Sequence, residues 1–135
     1  MAGLVAGAAA AVINVTDAVI VKATKESEQG MLPPREMLQV MGKFNEELAA
    51  AGVLLAADGL TPSSKGKRVR FDGAKKTVID GPFAESKEMI AGFGLLELPS
   101  RDVAIEEAVK FAAVFGDDIQ MEIDIRPVGD DPYQE

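Results

Sequence analysis

The side chains here that can move a proton or hold a charge are carboxylates, lysines, arginines, hydroxyls and one tyrosine. The chain has no His, no Cys and no Trp. That excludes a Ser-His-Asp triad, a Cys nucleophile, a disulfide framework, and any zinc or iron site built on imidazole or thiolate. Only an oxygen-ligand cation such as Mg²⁺ or Ca²⁺ is compatible, and no acidic spacing resembles a known loop for one. Neither a metal nor a cofactor is therefore expected. The leading chemical candidate is Asp80, which opens the run Asp80-Gly81-Pro82-Phe83. As a structural element this is a turn: Gly81 and Pro82 set the backbone, Asp80 accepts N–H bonds, and Phe83 anchors the loop. As a functional element, Asp80 becomes a general base if Phe83 and Ile90 desolvate it.

Three other groups invite the same weighing. Glu85, Lys87 and Glu88 follow the turn and either line a cleft mouth or form a solvated loop. Arg68 and Arg70 share one face of a strand; they either clamp an anion or protect an edge from aggregation. Glu122, Asp124 and Arg126 leave one face of the last strand, opposite Met121, Ile123 and Ile125. That face lines a pocket if it is enclosed and is ordinary surface if it is not.

The elements that must position these residues belong to one domain. The chain has 135 residues, 47% hydrophobic and 27% charged, with a net charge of −8 from 14 basic and 22 acidic side chains. An acidic chain repels a phosphate backbone, so no nucleic-acid partner is expected. Residues 1–14 are small, apolar and uncharged. They lack the positive start of a signal peptide and fall short of the roughly 20 residues that span a bilayer. They read as an extra element packed on the domain, as an upstream start, or as a weak export signal. No membrane association is expected, and the default compartment is the cytoplasm.

Ala18–Ala23 reads as a strand. Thr24–Met31 is polar and reads as a loop. Pro34 suits the first turn of a helix that carries Met37, Val40, Met41, Phe44, Leu48 and Ala51 on one face and stops at Gly52. Val53–Ala57 is a second strand. Lys67–Phe71 and Lys76–Ile79 flank Asp72-Gly73 as a hairpin. Ile90–Leu98 is a strand with Gly92 and Gly94 near its start. Ser100 caps a helix over 101–115 whose buried stripe is Ile105, Ala108, Val109, Ala112 and Phe115. Ile119–Arg126 alternates as a final strand. The order predicts a ferredoxin-like α+β sandwich with two helices on one face of an antiparallel sheet. Strands apolar on both parities leave the other face greasy. Either a second copy covers it, giving a homodimer, or residues 1–14 fold back over it.

Several segments resemble the DGPF branch of the YCII-related proteins: Lys22–Glu28, Met41–Leu48, Pro62–Gly66, and Asp80–Glu88 followed by Ile90–Phe93. The resemblance covers about 18–128, leaving 1–17 as an extension and 129–135 as an acidic tail. It implies a dimeric α/β barrel. It also implies a class in which some members are suspected enzymes with a His–Asp pair in a cleft, a few acting on lactones or chlorinated aromatics, while others keep the company of sigma factors. Without His that pair cannot operate here. Asn45 stands near the expected His position and can hydrogen-bond but cannot serve as a base. Three functional readings stay open: a small-molecule binder or carboxylate acid–base enzyme of isomerase or lactone type, a dimeric regulatory module, and a member that only folds.

Overall fold

The computed structural model describes residues 14–84, 88–116 and 120–129. A four-stranded antiparallel sheet is built from β1 (Val15–Lys22), β2 (Leu54–Gly59), β5 (Ile90–Leu98) and β6 (Ile123–Pro127), in the order β2-β5-β1-β6. A separate hairpin of β3 (Lys67–Asp72) and β4 (Lys75–Asp80) is inserted between β2 and β5. With that insertion set aside, the order is the fourth, first, third and second strand, as in a ferredoxin-like α+β fold. The helices are α1 (Lys25–Glu28), α2 (Arg35–Ala50) and α3 (Arg101–Ala113). The sheet is open, and no closed barrel forms within the described residues of the chain.

Register decides which residues meet the helices. Val19 pairs with Gly94 and Ile125, Val21 with Gly92 and Ile123, and Asp17 with Leu96, so these share one face. Ala18, Ile20, Phe93, Leu95, Asp124 and Arg126 share the other. The buried core lies on the first face: Val19, Leu48, Val53, Leu96, Leu98, Ala104 and Ala108, with Phe44, Leu54, Val103, Ile123 and Ile125 packed around it. It gathers where α2 ends and α3 begins. The chain signals that spot with Gly52 at φ 76° closing α2 and with the Ser100 side chain accepting from the Val103 N–H to open α3.

Four expectations are corrected. The inward face of α3 is Ala104, Glu107 and Ala108, while Ile105 and Val109 are 44% and 63% exposed. The helix has turned so that its alanines meet the sheet, since small side chains permit the closest approach; a count of hydrophobes leaves Glu107 off the buried stripe. On α2, Val40 is likewise exposed. The stretch 24–31 contains a turn of helix, α1, closed by a capping box between Thr24 and Ser27. The last strand begins at Ile123, because pairing with β1 runs out where the Lys22 N–H reaches the Glu122 carbonyl.

Asp17 is buried on the helix-facing side with Arg101 Nε 3.4 Å from Oδ1 and no partner for Oδ2 among the described residues. Removing one member of such a pair strands the other, whereas replacing both with apolar groups need not cost stability. We expect Arg101→Ala to destabilise the domain by about 1–3 kcal/mol. The double variant Asp17→Val/Arg101→Ala should recover most of that loss in a urea titration.

Candidate functional site

The helix-facing side of the sheet is closed at one end only. Along α2 Leu48 is buried, at 5% exposed, whereas Phe44, Met41 and Met37 nearer the helix start are only half-buried and Leu38 beside them is 42% exposed. The helix and sheet therefore form a wedge, sealed at Leu48 and Val53 and open toward the start of α2. A cleft of about 1490 Å³ occupies it. Its floor includes Val19, Val21, Gly92 and Gly94, and its walls include Met37, Met41 and Phe44 from α2 and Phe111 from α3. The glycines make the floor low. They stand two apart on β5, on one face, so two adjacent positions lack side chains. At Gly94 a Cβ would meet only ordinary van der Waals neighbours, Leu54 Cδ1 at 3.7 Å among them. A side chain therefore has room at Gly94, whereas buried Gly92 serves the close approach of β2, since a Cβ there would lie 3.1 Å from the Asp58 carbonyl oxygen.

Three phenylalanines tie the helices across this space. Phe44 and Phe111 lie 6.2 Å apart with a tilt of 56°, and Phe111 meets Phe115 edge-on at 5.3 Å. Among these apolar groups sit two polar ones, Asn45 of α2 and Glu107 of α3. Glu107 is 2% exposed. Its Oε1 lies 3.4 Å from Lys110 Nζ, and its Oε2 has no hydrogen-bond partner among the described residues. Leaving such an oxygen unmatched costs about 1–3 kcal/mol. Sequence reading missed Glu107 because a Glu beside Glu106 on an amphipathic helix scores as solvent-facing.

The other candidates lie elsewhere. Asp80 is exposed and pairs with Lys67 across the hairpin, so the desolvation expected from Phe83 and Ile90 is not there. Arg70 is exposed on β3. Arg68 stacks over the Phe83 ring at 4.1 Å, which makes the ring the seat of the hairpin base. Asp124 and Arg126 lie on the opposite sheet face, where Asp124 is 3.7 Å from Lys22. Glu122 lines a smaller recess with Lys22 and Lys25. Glu85 and Lys87 fall outside the described residues. Of the described candidates, Asn45 alone lines the large cleft. Among the described residues no three carboxylates converge as a metal site.

The cleft's rim is built on Ser63, in a short 3₁₀ turn over Ser63–Lys65. The Glu28 carboxylate accepts from the Ser63 N–H at 2.8 Å and from its Oγ at 2.5 Å, and that Oγ accepts from the Phe83 N–H at 3.1 Å. One hydroxyl thus joins α1 to the Asp80–Phe83 turn. Gly81 lies so close that a Cβ there would overlap the Ser63 carbonyl.

A family model for the YCII-related domain matches residues 18–117. The chain belongs to the YCII-related family. An uncharacterised protein of Rhizobium meliloti (strain 1021) is 33% identical over 85 residues, covering 63% of this chain and 64% of the relative. The chain thus spans a little under two thirds of the length of that relative. This YCII-related chain begins β1 at Val15, three residues ahead of the family match. No helix among the described residues is long and apolar enough to cross a membrane.

Ser63→Ala should cost about 1–2 kcal/mol, two hydrogen bonds being lost. Amide exchange at Phe83 should rise beyond the change in global stability. Exchange that follows global stability alone would show that the hydroxyl does not hold the turn.

Proposed function

We propose that this protein binds a small, largely apolar organic molecule in the wedge between α2, α3 and the sheet. The observation that carries the reading is the cleft itself, walled by Met37, Met41, Phe44 and Phe111 over a floor that lacks a side chain at Gly94, where one has room. Its inner walls are apolar and its charged side chains come mostly from the loops at the mouth, and an apolar interior with placed polar groups is the usual form of a small-molecule site. The volume, about 1490 Å³, exceeds the roughly 300–1,000 Å³ common for such sites because the wedge is open along its mouth. Asp80 lends no support to acid–base chemistry, standing in solvent outside the cleft with its charge shared by Lys67.

We also infer a homodimer in which a second copy covers the opposite sheet face. Ile20, Phe93, Leu95 and Ala18 cluster there with no helix of the same chain over them among the described residues. An apolar face of this kind is seldom left to water by a soluble monomer. In light scattering the mass should be twice 14.2 kDa. Phe93→Asp should return the single-chain mass, and a wild-type single-chain mass would end the dimer reading.

The cleft is tested by filling it. Gly94→Val adds a side chain over the floor where the Cβ has room. The neutral fluorophore N-phenyl-1-naphthylamine should bind the wild type saturably. The variant should bind it about tenfold or more weakly, a loss of roughly 1.4 kcal/mol, while melting at the same temperature. Equal binding by a folded variant would rule the cleft out.

A further inference from the structure

We propose that Glu107 is the polar anchor of this cleft and that the ligand is a cationic amine carried on an apolar body. The inference rests on the small-molecule reading above and adds the chemical class of the ligand. Glu107 is 2% exposed, lines the cleft, and keeps one oxygen without a donor among the described residues. Its only ionic contact there, Lys110, is long at 3.4 Å and comes from a side chain 42% exposed. A half-matched carboxylate in an apolar wall is completed best by a charged N–H donor, because charge-assisted hydrogen bonds are the strong ones. Oε2 is itself shut off from solvent, so to meet the amine the carboxylate turns about its terminal bond, a broad and soft torsion.

Two further features favour a cation over a neutral donor. The cleft is lined by the acids Glu26, Glu28, Asp58 and Glu107 against the bases Lys22 and Lys65. The whole chain carries −8, so a cation is drawn in and an anion turned away. Phe111 stands one turn after Glu107 on the same helix face and lines the same space. Its ring offers an ammonium a second favourable contact, and the Phe44–Phe111 pair offers an arene or alkyl body its surface.

The test is a titration of the full chain with three probes of matched shape, followed by NMR: 2-phenylethylamine, 2-phenylethanol and 3-phenylpropionate. The wild type should prefer the amine over the propionate by about tenfold or more. Glu107→Gln should weaken the amine by about tenfold and leave the alcohol within about twofold. Lys110→Met, which removes the competing cation, should tighten the amine and serves equally if the Gln variant does not fold. Binding of all three probes without regard to charge, or an amine affinity unmoved in Glu107→Gln and Lys110→Met, overturns this inference and leaves the cleft reading standing. Failure of every probe to bind the wild type overturns both.

Discussion

Everything in this molecule turns on how unevenly α2 meets the sheet. At its C-terminal end Leu48 and Val53 close against Leu96 and Leu98, and the domain has its core. Two to three turns earlier the half-buried Met41 and Met37 line the cleft instead, over a floor that lacks a side chain at Gly94. Protein interiors are otherwise close-packed, so a missing side chain at an inward position such as Gly94 leaves a void unless the helix moves in. It does not move in because α3 holds the wedge apart: Phe111 meets Phe44 from the side, and Glu107 stands in the wall.

The mouth of the wedge is fixed by polar contacts instead of apolar ones. Thr24 and Ser27 cap each other across α1, Glu28 holds Ser63, and Ser63 holds Phe83. Phe83 in turn seats Arg68 at the base of the hairpin. The hairpin's strands are otherwise exposed, with Val69, Phe71 and Val78 all more than half accessible. A two-stranded hairpin has little stability of its own. Its placement therefore depends on this short chain of hydrogen bonds, and the Asp80–Phe83 turn acts as an anchor for the hairpin.

Most of the fold was legible because it rests on local signals. Gly52 and Gly116 end helices at positive φ, Ser100 caps α3, and Asp72-Gly73 turns the hairpin with Gly73 at φ 62°. The candidate site was legible only at Asn45. Gly92 and Gly94 were visible as glycines in a strand, but their shared face matters only once register sets it opposite Val21 and Val19. Glu107 was hidden by the helical count, which places hydrophobes inward and acids outward. The physical preference that overrode it, close approach of Ala104 and Ala108 to the sheet, belongs to packing and not to periodicity. Asp80 drew notice for its motif, yet a carboxylate at a hairpin base finds its Lys partner in register, here Lys67.

A crystal of the unliganded protein pressurised with xenon tests the central claim most directly, because xenon enters apolar space that the protein itself leaves empty. The account predicts xenon over Gly94, flanked by Met41, Phe44 and Phe111. It is contradicted if that space holds no xenon and the α2 side chains rest in van der Waals contact with the β5 backbone.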